Sequence, residues 1–203
     1  MLSAKRSKNF KKSHAHEDLR YAFLRAALDQ ASSSSPDDIS FRELARKLGV
    51  TSAAPYYHFR DRAELLLLLA IDGFSKLLAH LQDARAKEQT PSARSEALVR
   101  AFLNFGRQQR GYYAIMVHRE VVKPGNIQEL EGPAAKCFDL VCETIHEANP
   151  RLKKNGVSER AVAVWSFLHG VLQLSAAGPL GRRLPPEHED RFAVEVCRRI
   201  VDI

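Results

Sequence analysis

The sequence of 203 residues predicts an all-α protein of about nine helices. Apolar side chains recur at intervals of three and four residues along nearly the whole chain, which is the spacing of one helix face. No convincing alternation of apolar and polar residues indicates a strand. Apolar residues make up 45% of the chain. That is enough for one or two packed domains, and it excludes a disordered protein, a collagen or a small disulfide-bonded scaffold.

The first two helices are predicted within residues 17–49. The first helix covers about Glu17–Ala31, where apolar residues repeat at every fourth position, and a run of serines ends it. Ser40 and Glu43 have the spacing of a capping box and open the second helix. Gly49 ends that helix, because glycine tolerates the left-handed conformation found just past a helix C-terminus.

The next two helices are predicted from the same cap pattern. Thr51 is placed to cap a third, very short helix that ends by about His58. Asp61 and Glu64 open a long helix that reaches about Lys87. Five consecutive leucines give this helix apolar surface all round, so its first half is expected to be buried on several sides.

Five more helices are predicted in the rest of the chain. Each begins where a cap or a proline precedes an apolar face, and most end at a glycine or a proline. Their expected bounds are Thr90 to Gly111, Tyr112–Val122, about Pro133 to Asn149, Ser158–Ala176 with a stop at Gly178-Pro179, and Pro185-Pro186 onward.

The net charge of +7 is concentrated at the N-terminus and favours a polyanionic partner. Residues 17–62 are formally neutral, with seven basic and seven acidic side chains. Five cations precede the first acidic residue, Glu17: Lys5, Arg6, Lys8, Lys11 and Lys12. Residues 1–16 are therefore predicted to be a flexible basic tail, either a solvated leader or an arm that adds salt-dependent affinity for phosphates.

Cysteine use and the N-terminal composition indicate a cytoplasmic protein. Three cysteines, Cys137, Cys142 and Cys197, cannot form a closed set of disulfides, which favours a reducing compartment. Residues 1–17 carry charge without an apolar segment, so we expect no signal peptide. No run approaches the ~18 apolar residues of a membrane span, and we expect no membrane partner.

Residues 40–59 carry the most specific pattern in the sequence. Two short helices joined by a glycine-containing turn, with the small Ala45 where they cross, are typical of a helix-turn-helix. The second helix of such a motif enters the major groove of DNA, where base edges differ in their hydrogen-bonding groups. At about 100° per residue, Ser52, Ala53 and Tyr56 share one face of that helix, and we expect this face to point outward.

These residues resemble the TetR family of bacterial transcriptional regulators. The resemblance runs through Leu44-Ala45, Leu48–Thr51, Ala53–Phe59 and Arg62–Leu66. It implies a DNA-binding domain over residues 17–62 that recognises a palindromic operator in double-stranded DNA as a homodimer. The DNA contacts that it implies are Thr51, Ser52, Ala53, Tyr56, Tyr57, His58 and Arg62.

The implied contacts differ in kind. The first four would lie near bases and flanking phosphates, Tyr57 and His58 would hold the DNA backbone, and Arg62 would neutralise a phosphate. Two alternatives stay open: Thr51 as a helix cap worth about 1 kcal/mol, and His58 as a satisfied interior histidine. The second helix lacks the Arg, Lys or Gln that usually read guanine and adenine, so DNA shape is expected to contribute more than base readout.

The spacing Trp165-x-x-x-His169-Gly170 resembles a TetR subgroup named for the Trp-His-Gly sequence of its C-terminal domain. It implies that residues 63–203 bind an effector and dimerise. Trp165 and His169 share one helix face, either as ordinary core residues or as walls of an apolar pocket for a small hydrophobic or aromatic effector. The other candidate walls, each also a candidate core residue, are Phe102, Phe105, Tyr112, Tyr113, Met116, Phe138 and Cys142.

The same helix has a second apolar stripe, which suggests a partner subunit because one domain cannot cover both faces. The stripe consists of Ala161, Val164, Leu168 and Val171. No catalytic motif, phosphate-binding loop or zinc pattern is present, so we expect no enzymatic activity, metal or cofactor. The sequence predicts a homodimeric repressor that a small hydrophobic ligand releases from its operator. The alternatives are a DNA-binding regulator without an effector and, more remotely, a helical enzyme or ligand carrier.

Overall fold

The structure, a computed structural model, describes residues 2–176, 178 and 184–202. Every regular element in that part of the chain is a helix, so the all-α prediction is confirmed. Three short 3-10 helices cover Pro36–Asp38, Ala54–Tyr57 and Pro124–Asn126. The α-helices there are α1 (Leu2–Ser33), α2 (Phe41–Lys47), α3 (Arg62–Ala86), α4 (Pro91–Gln108), α5 (Arg110–Met116), α6 (Ile127–Ala148), α7 (Lys154–Ala176) and α8 (Pro186–Asp202).

The chain divides into two compact units. The first combines Met1–Ala70 with Gly111–Asn126, and the second combines Ile71–Arg110 with Ile127–Ile203. The sequence pattern suggested a single boundary after residue 62. Residues 111–126 join the first unit through contacts with distant parts of the chain, which local periodicity does not reveal.

The first unit is built around α1, which packs against α2 and the 3-10 helix at Pro36–Asp38. The ring of Phe59 meets that of Phe23 edge-on at 6.3 Å, and the guanidinium of Arg20 lies 5.5 Å from the Phe59 ring centre. Burying one such side chain stabilises a fold by roughly 1.5–3 kcal/mol. The largest buried side chains of this core are Phe23, Ile39, Leu44, Phe59, Leu65 and Leu66.

Residues 111–126 are held closely against α1 and the segment that follows it. A Cβ atom on Gly111 would stand only 2.6 Å from the carbonyl oxygen of Leu28 and would also collide with Ser32 Oγ, so only glycine fits this contact. The buried His118 places Nε2 at 3.2 Å from Asp37 Oδ1. This hydrogen bond from His118, with further help from a nearby arginine, lowers the pKa of the Asp37 carboxyl.

The second unit is a bundle in which α4 contacts α6, α7 and α8, while α7 also contacts α6 and α8. Arg107 of α4 joins two carboxylates of α8, with Nη2 at 2.9 Å from Glu189 and Nη1 at 2.6 Å from Asp190. Ser175 of α7 donates a second hydrogen bond to Glu189 at 2.9 Å. The buried Glu189 carboxylate is therefore paired, as burial of a charge requires.

Three helices begin earlier than the sequence pattern predicted. The segment expected to be a flexible tail is helical from Leu2, since α1 begins there rather than at Glu17. Its first half has no apolar periodicity, but lysine, arginine and alanine extend a helix readily. The side chains of the five tail cations lie outside the described part of the structure. α6 begins at Ile127 and α7 begins at Lys154. The predicted start signals, Pro133 and Ser158, therefore lie inside these helices.

Of the other predicted helices, some have the expected boundaries and α5 is shorter than predicted. Thr90 caps α4 by accepting a hydrogen bond from the Ala93 amide at 3.2 Å. α5 ends at Met116 rather than Val122. α7 ends at Ala176 as predicted, while Pro179 lies outside the described residues. Within those residues, no helix combines the length and apolar content needed to cross a membrane.

Candidate nucleic-acid interface and ligand cavity

α2 and the turn after it form the first half of a helix-turn-helix. Ser40 caps α2, because its hydroxyl accepts a hydrogen bond from the Glu43 amide at 3.2 Å. The Glu43 carboxylate pairs with Arg46 at 2.9 Å instead of serving the other half of the predicted capping box. Gly49 has a φ of +67°, the left-handed conformation predicted for it, and lets the chain turn after α2.

The second helix of the motif is the 3-10 helix Ala54–Tyr57, not the α-helix assumed from the sequence. The His58 amide donates to the Pro55 carbonyl at 3.0 Å, a bond to the third residue back. Pro55 has no N–H to donate, and this favours a short, tight helix over a regular α-helix. The alternative role of Thr51 as a cap is wrong, since Ala53 occupies the N-cap position without a side-chain cap bond.

Most residues implied as DNA contacts are exposed around this short helix. Tyr56 and Tyr57 show 65% and 77% of their surface. The Tyr56 ring meets Phe41 edge-on at 5.1 Å, which holds it against α2 while its outer part stays accessible. Adjacent exposed aromatic side chains indicate a contact surface. The exposed set consists of Thr51, Ser52, Ala53, Tyr56 and Tyr57.

His58 lies on the inner side of the motif. Its side chain is half-buried, and its ring centre lies 5.9 Å from that of Phe23 and 6.2 Å from that of Phe59. These two phenylalanines belong to the core of the first unit. The position therefore favours the interior histidine over the contact with the DNA backbone.

Arg62 begins α3, but its guanidinium is engaged within the first unit. Nε donates to the Ile39 carbonyl at 2.7 Å, Nη2 donates to the Pro36 carbonyl, and Nη1 pairs with Glu120 at 2.7 Å. Only 24% of the side chain is exposed. Because each guanidinium nitrogen already donates to the protein, the structure does not support the phosphate contact implied for Arg62.

Besides Arg46, which pairs with Glu43, sequence reasoning missed three exposed cations beside the motif. Arg42 and Lys47 lie on α2, and Arg60 precedes α3. Arg60 also pairs with Glu64 at 3.3 Å, but 77% of its side chain remains exposed. The signal was present for α2, since its apolar positions define the buried face and leave both cations off that face.

The second unit contains a cavity of about 180 Å³ bounded by α3, α4, α6, α7 and α8. Two of the predicted effector walls, Phe102 and Trp165, line it. Its other apolar walls are Leu81, Leu98, Val99, Val141, Ile145, Ala148, Val164, Leu168, Val194, Cys197 and Val201. Its polar lining residues are Ser92, Ser95, Glu96, Thr144, Arg198 and Asp202.

Four of the predicted effector residues form an aromatic cluster that only partly overlaps this cavity. The Phe102 ring lies 5.5 Å from Trp165 and 5.2 Å from His169, and Phe138 lies 6.2 Å from Trp165. Burial lowers the pKa of His169 to about 4, so its ring is neutral at neutral pH. Phe138 and His169 do not line the cavity, which favours the core alternative for both.

The remaining predicted walls lie elsewhere. Phe105 is buried, with its ring 6.4 Å from that of His80. Burial, together with two neighbouring carboxylates, raises the pKa of the Cys142 thiol and makes it a poor nucleophile. Three predicted walls belong to the first unit, where they are buried: Tyr112, Tyr113 and Met116.

The predicted partner-facing stripe of α7 is wrong. All four of its residues are buried within this chain: Ala161, Val164, Leu168 and Val171. The bundle of the second unit therefore covers this stripe without a partner subunit. In the described part of the second unit, the large apolar side chains that remain exposed are Val162 and Leu174 of α7 and Phe192 of α8. The Phe192 ring centre lies 5.9 Å from that of Phe167, so α7 and α8 contact each other at this partly exposed position.

A helix-turn-helix with an exposed aromatic contact surface, joined to a helical unit, defines a DNA-binding transcriptional regulator. Residues 95–198 match the family model of the tetracyclin repressor-like C-terminal domain, and residues 23–69 match that of the tetR family of bacterial regulatory proteins. The chain belongs to the TetR family. Its resemblance to the Trp-His-Gly subgroup stays a prediction. Across the described residues, no group of three or more His, Cys, Asp or Glu could hold a metal ion.

Solved structures resemble most of the chain. A protein with unknown function from Rhodococcus sp. RHA1 is 30% identical, with a TM-score of 0.75 over 91% of this chain and 94% of its own. The TetR-family transcriptional regulator PfmR from Thermus thermophilus is 17% identical, with a TM-score of 0.69 over 89% of this chain and 97% of its own. A tetR-family bacterial regulatory protein from Rhodococcus RHA1 shows 15% identity and a TM-score of 0.68, over 90% of this chain and 95% of its own. No curated protein matched the chain.

Proposed function

We propose that the protein is a homodimeric repressor that acts in the cytoplasm, binds a palindromic operator and leaves it when a small hydrophobic ligand binds. The observation that carries this proposal is the exposed surface of the helix-turn-helix, in which Tyr56 and Tyr57 stand out from a buried core. An apolar cavity in the second unit supplies a place for the ligand.

DNA recognition rests on the exposed residues around the 3-10 helix. Thr51 and Ser52 offer hydroxyl groups, while Ala53 and the tyrosine rings offer apolar contact to thymine methyl groups. Phosphates are bound by the exposed cations beside the motif, Arg42, Lys47 and Arg60, rather than by Arg62. Because none of the residues that face the groove is an arginine, glutamine or asparagine, DNA shape contributes much of the sequence preference.

The homodimer is formed through the outer surface of α7 and α8. Leu174 of α7 and Phe192 of α8 are 49% and 41% exposed, and the Phe167 and Phe192 rings join the two helices. Large apolar side chains exposed on these two helices favour a partner that covers them. Phe192→Asp should yield monomers in analytical ultracentrifugation with helical content unchanged; an unaltered dimer mass would contradict this interface.

Ligand release is a shift of population between two dimer arrangements. A ligand that binds more tightly to one arrangement favours it, and operator binding needs recognition elements about 34 Å apart in adjacent major-groove turns. The motif and the cavity are linked along the chain by α3. This helix begins at Arg62, beside the motif, and contains Leu81, which lines the cavity. We infer that α3 couples the two sites.

The test begins with a footprint on the DNA that adjoins the protein's own coding region. Tyr56→Ala should weaken binding to the protected site by about 1–3 kcal/mol, since it removes a groove contact. Tyr21→Ala serves as the matched control, because Tyr21 is an equally exposed tyrosine, at 67%, on α1 and not in the helix-turn-helix segment. Binding that does not survive excess competitor DNA contradicts the function, and an effect of Tyr21→Ala equal to that of Tyr56→Ala contradicts the assigned surface.

A further inference from the structure

The cavity in the second unit is small. Its volume of about 180 Å³ is close to the ~150 Å³ of an apolar protein cavity that binds one benzene molecule. Pockets for drug-sized ligands usually measure roughly 300–1,000 Å³. The space therefore suits a molecule of one ring, and it excludes a ligand of three or more fused rings unless the bundle opens.

The walls favour an aromatic occupant. Two aromatic side chains, Phe102 and Trp165, lie among aliphatic walls contributed by α4, α6, α7 and α8. Their ring centres are 5.5 Å apart at an interplanar angle of 60°. Aromatic rings pack well in such edge-to-face surroundings, and this adds to the gain from removing apolar surface from water.

The charged lining residues provide no partner for an ion inside the cavity. Glu96, Arg198 and Asp202 are all exposed, which places them at its mouth. Glu96 pairs with Arg100 of its own helix at 2.7 Å, and Arg198 pairs with Glu195. Burial raises the pKa of the lining Cys197 thiol to about 12, so this group is also neutral. An ion in this interior would lose its hydration without gaining a counter-ion, so the occupant must be uncharged.

The hydroxyl group of Ser95, in the cavity lining, is available for a hydrogen bond to a ligand. Ser95 Oγ is buried from solvent and has no hydrogen-bond partner among the residues that the structure describes. Thr144, also in the lining, donates its hydroxyl to the Leu140 carbonyl at 2.9 Å and keeps its lone pairs as acceptors. A buried hydroxyl without a partner is unfavourable, and a ligand that bonds to it gains both affinity and orientation.

We propose that this cavity takes a small uncharged aromatic ligand, one ring in size, that carries a single hydrogen-bonding group, as phenol does. Ser95 binds that group, and Phe102 and Trp165 pack against the ring. The inference rests on the proposed function in treating the cavity as the effector site, and it narrows the effector from any hydrophobic molecule to this class.

Binding can be measured directly in the full-length protein, because Trp165 is the only tryptophan and lines the cavity. We expect phenol to change Trp165 fluorescence with a saturable dependence on concentration. Benzene, which lacks the hydroxyl, should bind about fivefold more weakly, the factor that corresponds to one hydrogen bond. Benzoate and a three-ring phenol should show no saturable binding.

Three variants separate the parts of the proposal. Ser95→Ala should lower phenol affinity to that of benzene and leave benzene affinity unchanged. Ser75→Ala is the matched control, since Ser75 is an exposed serine of the second unit that does not line the cavity. Val194→Phe should fill the cavity and abolish binding of both probes, with helical content checked by circular dichroism.

The outcomes distinguish this inference from the proposed function. Absence of saturable phenol binding, equal affinity for phenol and benzene, or benzoate binding as tight as phenol binding overturns the ligand class. Specific operator binding by the same preparation would still stand in each of these cases. If the wild-type protein does not bind an operator in the absence of ligand, the proposed function is contradicted, whether or not phenol binds.

Discussion

Among single residues, Arg62 has a different role from the one that its place in the motif implies. Its guanidinium joins the loop carbonyls of Pro36 and Ile39 to Glu120, which lies in the second segment of the first unit. The sequence shows only a basic residue at a helix N-terminus, a position that suits phosphate. The competing carbonyls come from residues 23 and 26 positions away, and no local pattern reveals them.

Arg62→Lys is expected to lower the free energy of unfolding by about 1.5–3 kcal/mol, because lysine retains the charge but loses the fork that serves three partners. Urea denaturation followed by circular dichroism measures this change. Arg60→Lys is the matched control and should have almost no effect, since Arg60 is 77% exposed. Unchanged stability of Arg62→Lys, combined with a weaker salt dependence of DNA binding, would contradict the structural role and indicate that Arg62 contacts a DNA phosphate.

His169 makes stability depend on pH. Its pKa is lowered by burial from an ordinary 6.5 to about 4. The unfolded chain therefore binds a proton between these values while the folded chain does not, and stability is lost as the pH falls from about 6.5 to about 4. The full shift of the His169 pKa would change the free energy of unfolding by roughly 3.5 kcal/mol, at ~1.4 kcal/mol per pKa unit.

The measurement is the free energy of unfolding against pH for the wild type and for His169→Gln. The variant should lose stability less steeply between pH 6.5 and 4, because this titration is gone. His188→Gln, which replaces an exposed histidine, should follow the wild-type slope. Parallel curves for the wild type and His169→Gln would show that His169 is not a buried neutral ring.

The helical elements were predictable wherever a cap stands next to an apolar face. Ser40, Gly49 and Thr90 act as their sequence positions indicate, and the long α3 follows from its apolar surface. Polar segments gave no such signal, so the early starts of α1 and α6 were missed. The 3-10 form of the second motif helix depends on Pro55 and on how Tyr56 packs against Phe41, which helical spacing alone does not show.

The N-terminal half of α1 is expected to add salt-dependent affinity for DNA. Deleting residues 1–13 removes all five tail cations, and the salt slope should fall by about 0.9 for every phosphate that these cations neutralise. Sequence preference should remain, because the helix-turn-helix is untouched. Anisotropy titrations of operator and scrambled DNA at several salt concentrations measure both quantities.

A charge-neutral variant serves as the control for this deletion. Replacing the same five cations by glutamine keeps the length of α1 and removes only the charge. It should reproduce the flatter slope. A slope that changes in the deletion but not in the glutamine variant would contradict an electrostatic role and assign the effect to the helix itself.

For the molecule as a whole, the sequence predicts the DNA-binding surface better than the ligand cavity. The exposed face of the motif followed from spacing and family resemblance, since one short segment contains it. The cavity did not, because five helices that are distant in sequence enclose it and only Phe102 and Trp165 belong to the predicted walls. The buried stripe of α7 was assigned to a partner because periodicity marks an apolar face without identifying what covers it.

We expect a ligand bound in the second unit to lower the operator affinity of a dimer that binds DNA through the helix-turn-helix of the first unit. The measurement that tests it most directly is operator affinity with and without a saturating ligand, chosen by thermal-shift screening of small hydrophobic compounds. We expect specific binding that survives competitor DNA and weakens at least tenfold when the ligand saturates the cavity. Saturation of the cavity with unchanged operator affinity would contradict it.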